Sequence, residues 1–141
     1  MDPVQKILSY AKRIAIVGLT DDPHRASYGV AEELLDHGYE IVPVNPTIDE
    51  TLGLRSYPSL ADVPGEIDVV DVFRRPEYLE AVAREAAEVA AKALWLQVGL
   101  HSHEARRIAV GAGMDYIEDL CLKIEVARLG RVITLPVQAT R

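Results

Sequence analysis

Ile14-Ala15-Ile16-Val17-Gly18-Leu19-Thr20 runs through a polar turn, Asp21-Asp22-Pro23-His24, into Arg25-Ala26-Ser27, and this junction decides the fold. The four apolar residues before Gly18 read as a short strand buried on both faces. Beyond the turn, Val30, Leu34 and Leu35 share one face of a helix that Gly38 would end, with Ser27 as its expected N-cap. A glycine between strand and helix lets the backbone approach a ligand closely. The open N–H groups of the helix start attract anions, and Arg25 adds a full positive charge. The loop is long enough for His24 and Arg25 to wrap a second phosphate. The expected feature is a phosphate cradle on an α/β domain.

The same strand–loop–helix pattern recurs on either side. Asp2-Pro3 opens a first helix running to about Ala11, and strand one follows over about 13–18. Further strands are expected at Glu40–Val44, Asp68–Phe73, Ala93–Val98 and roughly Met114–Glu118. Pro76 is expected to open a helix whose Leu79, Val82, Ala86 and Val89 form an apolar stripe. Ser102 is expected to cap another, carrying Ala105, Ile108 and Ala109. The segment 46–66 reads as a long connection with a helical turn at Leu60–Val63, and 130–141 as an added edge strand. Alternating strands and helices with short crossovers imply one doubly wound domain over 1–141, with a parallel five-stranded sheet.

Composition narrows the function classes. The chain has 141 residues, 49% of them hydrophobic, enough to build a core. A net charge of −7 without a basic stripe argues against nucleic-acid or anionic-membrane partners, so any anion site must be local. Cys121 is the single cysteine, which excludes an intrachain disulfide and a cysteine-based zinc cluster. The N-terminus lacks the apolar core of a signal peptide, and no long uncharged apolar stretch exists. A soluble cytoplasmic protein is expected.

In a doubly wound sheet, ligands bind beyond the carboxyl ends of the strands. Those ends carry Gly18 and Thr20, Asn45-Pro46, Phe73-Arg74-Arg75, Gln97 and Gly99, then Asp119 and Cys121. Asn45, Phe73 and Cys121 are each the sole residue of their type, and all fall at this one edge. A small NAD(P)-linked oxidoreductase is the obvious enzyme alternative. Against it, the G-x-G-x-x-G fingerprint is absent, and Asn45-Pro46 stands where a ribose-binding carboxylate belongs.

The motifs Val17-Gly18-Leu19-Thr20, Arg25-Ala26-Ser27-Tyr28, Val44-Asn45-Pro46, Val69-Val70-Asp71-Val72-Phe73-Arg74, Leu96-Gln97-Val98-Gly99 and Cys121-x-x-Ile124-Glu125 stand in order. Together they resemble the small stand-alone coenzyme A-binding proteins, related to the nucleotide-binding domain of the succinyl-CoA synthetase α subunit. The resemblance runs from about residue 5 to 130. It implies a Rossmann-like fold with CoA or acyl-CoA as ligand. It places Gly18, Thr20, Arg25 and Ser27 at the phosphates and Asn45, Pro46, Phe73 and Arg74 beside the nucleotide. Gln97, Gly99 and Cys121 then approach the pantetheine arm. The synthetase also needs a second domain with a phosphorylated histidine and an ATP-binding partner, which this chain has no room for. Binding without autonomous catalysis, as a regulatory or carrier module serving an unidentified protein partner, is therefore expected.

Several of these residues carry a plainer reading. Gly18 serves equally as a strand-end turn, Asn45 as a turn residue before Pro46, and Phe73 as core. Only one of Arg74 and Arg75 is expected to face ligand. His101 and His103 lie at i and i+2, off a common helix face, so exposed histidines are expected rather than metal ligands. Cys121 reads as a small buried hydrophobe, with a reactive thiol as the competing reading. Asp71, an acid amid apolar neighbours, is expected to find a hydrogen-bond partner; no nucleophile–base pair is visible around it.

Overall fold

The computed structural model describes residues 1–129; the tail read as an edge strand lies outside the described residues. Its first helix, α1 (Pro3–Tyr10), starts with a capping box. The Asp2 carboxylate accepts the Gln5 N–H at 2.8 Å while the Gln5 side chain accepts the Asp2 N–H at 3.1 Å. The parallel sheet follows from short apolar runs: β1 (Arg13–Val17), β2 (Glu40–Val44), β5 (Val69–Val72), β6 (Ala93–Leu96) and β7 (Asp115–Ile117). Their spatial order is β2-β1-β5-β6-β7, all neighbours parallel. The chain therefore leaves β1 first to one side and later to the other. The switch point lies between β1 and β5.

Alternation along the strands builds two cores. Ala15, Val17, Val70, Val72, Leu94 and Leu96 pack against α3 (Leu79–Glu88) and α4 (His103–Gly111). Ile14, Ile16, Val69 and Trp95 face the opposite layer: α1, α2 (Ala26–Asp36) and α5 (Leu122–Leu129). Trp95 is fully buried, and its indole N–H donates to the Leu120 carbonyl at 2.8 Å. Helices on both faces make this the expected doubly wound, Rossmann-like single α/β domain.

The details depart from the sequence reading in four places. Helix α2 begins at Ala26 with Arg25 as N-cap, so Ser27 is not the cap. Ser27 is buried inside the first turn, and its hydroxyl accepts the Thr20 N–H at 3.3 Å instead. Pro76 starts a single 3₁₀ turn, Pro76–Tyr78, and α3 proper begins at Leu79. Within 46–66, the helical turn forms at Leu60–Asp62, but a small hairpin of β3 (Glu50–Thr51) and β4 (Leu54–Arg55) precedes it. Finally, α5 follows β7 and completes the second layer. Among the described residues, no helix is long and apolar enough to cross a membrane.

Candidate functional site

A cleft of about 600 Å³ opens at the carboxyl edge of the sheet, where β1, β5 and β6 end. A second, of about 330 Å³, adjoins it toward β2, and the two share Gly18, Phe73, Arg74 and Arg75. Gly18 sits at the switch point: its N–H bonds the Val44 carbonyl at 2.9 Å, while the Phe73 N–H bonds Val17 at 2.8 Å. Its φ of 92° lies in the left-handed region that favours glycine.

The loop from Gly18 to Arg25 is braced from three directions. Ser27 takes the Thr20 N–H, the Asn45 side-chain amide donates to the Leu19 carbonyl at 3.0 Å, and Thr51 Oγ1 donates to the Thr20 carbonyl at 3.0 Å. Thr51 is buried on the hairpin, which gives that unpredicted element a role in the site. No side chain caps the first turn of α2, so its leading amides stay open to a ligand. Their partial positive charge points where Thr20, Arg25, Ala26 and Ser27 line the cleft.

Three guanidinium groups stand here. Arg25 is exposed and has no ion-pair partner among the described residues. Arg74 lies over the Tyr78 ring, 4.1 Å from its centroid. Arg75 is 5.8 Å from the same ring and 3.9 Å from the Glu77 carboxylate. Both Arg74 and Arg75 line both clefts, where only one of the pair was expected. Phe73, half-buried, forms the wall between the clefts.

Among the sequence-predicted residues, Gly18, Thr20, Arg25, Ser27, Phe73, Arg74, Gln97 and Cys121 line the larger cleft, and Asn45 and Pro46 line the smaller. Gly99 lines neither. It turns the chain at φ 86°, and its N–H is held by the Asp119 carboxylate at 2.7 Å. His24 is also outside both clefts, its backbone N–H held by Asp22 at 2.9 Å. Asn45 is largely occupied internally, because its side-chain Oδ1 accepts from the Thr47 N–H and hydroxyl. Gln97 is buried, and its Oε1 accepts the Leu122 N–H at 3.2 Å, anchoring the start of α5. Cys121 is half-buried rather than enclosed.

Asp71 is fully enclosed in β5, and neither carboxylate oxygen finds a hydrogen-bond partner, contrary to expectation. Burial pushes its pKa well above the ordinary value, and the nearby Val72 N–H, which makes no well-formed hydrogen bond to it, opposes the shift only in part. It does not line the cleft. Beyond β7, Glu118 accepts from the Tyr116 hydroxyl at 2.7 Å and lies 3.5 Å from His101 Nδ1. Burial opposes ionisation of Glu118, yet hydrogen bonds from Tyr116 and His101 hold its pKa below the ordinary value. Burial and then the Glu118 bond raise the Tyr116 pKa. His101 Nε2 is 3.6 Å from Asp119, so this histidine, although exposed, bridges two carboxylates. Among the described residues, no three His, Cys, Asp or Glu side chains gather to hold a metal.

The sequence profile of the CoA binding domain family matches residues 12–127. The chain belongs to that family. Uncharacterized protein YneT of Bacillus subtilis is 48% identical over 121 residues, which cover 86% of this chain and 90% of YneT. A hypothetical protein from Pyrococcus horikoshii superposes with a TM-score of 0.87 at 36% identity, covering 92% of both chains. The ADP-forming acetate–CoA ligase of Methanocaldococcus jannaschii is 33% identical over 87 residues. That match takes in 59% of this chain but only 12% of the ligase.

In this CoA binding domain the larger cleft also uses Leu100, and the smaller one Thr47 and Tyr78, none of which stood in a motif; Val98 and Ile124 stood in motifs without a role assigned to them. Val98, an aliphatic residue two positions past the end of β6, carries a signal, because polar residues are the rule at such a position; Ile124, on α5, carries none.

Proposed function

We propose that this chain binds coenzyme A or an acyl-CoA across the two joined clefts and does not turn it over alone. One observation carries the reading: Arg25, Arg74 and Arg75 converge with the uncapped start of α2 on a single cleft. That is a site for a ligand with several anionic groups. The smaller cleft, with Asn45, Pro46, Thr47 and Tyr78, offers a ring-sized niche beside it for the nucleotide base. Membership of the CoA binding domain family supports the same ligand. Asn45 brings no carboxylate to the end of β2, which disfavours a nicotinamide dinucleotide. For the absence of turnover, the support is chemical. The side chains lining the larger cleft include guanidinium, hydroxyl, amide and thiol groups but no His, Asp or Glu to act as a base.

Titration calorimetry with CoA, NAD and NADP tests the ligand. CoA should bind tightest, and NAD binding at least as tightly would overturn the reading. Mass spectrometry of ligand retained by the native protein gives an independent check.

A further inference from the structure

The larger cleft is chemically lopsided. Its β1–β5 side holds the three arginines and the helix start, whereas beyond β6 and β7 it is lined by Val98, Leu100, Cys121 and Ile124, with the amide of Gln97 the one polar side chain besides the thiol. Val98 is 63% exposed and Ile124 56%, although both are aliphatic. Single exposed apolar side chains are ordinary on protein surfaces. Here two of them border one cavity together with the partly buried Leu100 and Cys121, and no charged side chain from this end of the sheet lines it.

We propose that this side is an acyl subsite, and that the chain takes a CoA thioester of a neutral aliphatic acid in preference to the free thiol. The inference rests on the CoA reading above. The anionic groups are drawn to the arginines between β1 and β5, and the β2 side offers the niche for the base. The remaining direction along the sheet edge is toward β6 and β7. Strands lie about 4.8 Å apart, so β7 is about 14 Å from β1, three spacings away. An arm of two linked amides ending in sulfur can cross that span and deliver its terminus between Val98 and Ile124. A thiol would leave both side chains largely wet. An aliphatic acyl group would cover them and lose its own contact with water.

Electrostatics beyond the subsite favour a neutral acyl group. Asp119 holds the N–H of Gly99, between the cleft residues Val98 and Leu100, and Glu118 stands next to it. Arg106, the nearby guanidinium, is already 3.8 Å from Glu118. A second carboxylate at the end of an acyl group would meet like charge there.

The test is calorimetry on the full chain with CoA, butyryl-CoA, hexanoyl-CoA and succinyl-CoA. Each methylene fully buried should tighten binding by about fourfold. Hexanoyl-CoA is expected to bind at least tenfold tighter than CoA, and succinyl-CoA more weakly than butyryl-CoA. The double variant Val98→Ser/Ile124→Ser should close the gap between hexanoyl-CoA and CoA, while Val110→Ser, an exposed valine on α4, should leave it open. Equal affinities of CoA and hexanoyl-CoA in the unaltered chain would overturn the acyl subsite and leave CoA binding standing. A gap that persists in the double variant would also overturn it. So would a double variant that changes only the oligomeric state, which would make the patch a contact between copies. Failure of CoA itself to bind would instead remove the underlying ligand reading.

Discussion

A methyl group on Gly18 would run into the carbonyl oxygen of Phe73. These two residues immediately follow β1 and β5, the neighbouring strands between which the chain switches direction, and both line the two clefts. The glycine is therefore demanded by its neighbour strand before any ligand arrives. Its small size brings the two strand ends together, and that closeness sets Phe73 and Arg74 beside the Gly18–Arg25 loop.

Gly18→Ala should consequently destabilise the protein in the absence of ligand. A left-handed φ costs a non-glycine residue on the order of 1 kcal/mol, and relieving the clash moves backbone, for a total of about 2 kcal/mol or more. Denaturant unfolding of the ligand-free variant measures this. A loss below about 0.5 kcal/mol, within the range of an ordinary surface change, would mean that the glycine serves only ligand access.

Arg25 differs in kind, being exposed and without an ion-pair partner among the described residues. A guanidinium–phosphate contact supported by backbone amides contributes about 1–3 kcal/mol. Arg25→Ala should weaken CoA binding about 5- to 100-fold with stability nearly unchanged. Dephospho-CoA and pantetheine identify the group it contacts, because a ligand lacking that phosphate should be insensitive to the change. Unchanged CoA affinity in Arg25→Ala would remove this residue from the site.

The sheet and most of its edge were legible because buried parallel strands leave continuous apolar runs, as in Ile14–Val17 and Val69–Val72. What escaped depends on partners distant in sequence. Thr51 looks like any loop threonine until the hairpin brings it to the Thr20 carbonyl. Ser27 follows the preference for a capping serine, but burial against the Gly18–Arg25 loop redirects its hydroxyl to the Thr20 N–H. Gly99 shares the glycine pattern of a ligand loop, yet Asp119 claims its amide. Helix α5 sets Leu122, Ile124 and Val126 at alternate positions, a spacing closer to a strand's than to a helix's, and its start is fixed by Gln97 accepting the Leu122 N–H, a contact no local period encodes.

Asp71 gives a pH prediction whose sign is opposite to that of most structural carboxylates. Burial raises its folded pKa above that of a free aspartate, so over the pH range between the two the native state favours the proton that the unfolded chain releases. Below that range both states are protonated and the residue has no effect. As pH rises into it, the unfolded state gains from ionising, and native stability falls by up to about 1.4 kcal/mol per pH unit until the folded pKa is reached. Asp71→Asn abolishes this slope. Unfolding free energies measured from pH 4 upward should show the variant gaining on the unaltered protein as pH increases. Parallel curves would mean that the buried carboxyl ionises alike in both states.

Turnover is the last point at issue, and it turns on Cys121. The thiol is half-buried and lines the larger cleft at the start of α5, where the acyl end of the ligand is proposed to lie. A thioesterase nucleophile needs a neighbouring base to take its proton, and water must then be activated to release the acyl group. No His, Asp or Glu lines this cleft, and Asp71 is sealed inside the sheet, where burial disfavours its charged form and no cleft atom can reach it. The purified chain should therefore leave butyryl-CoA intact at the rate of buffer alone, as followed by release of free thiol. Cys121→Ser should leave that background unchanged. Hydrolysis well above background that disappears in Cys121→Ser or Asp71→Asn would establish a catalytic thiol or acid and replace a binding module with an enzyme.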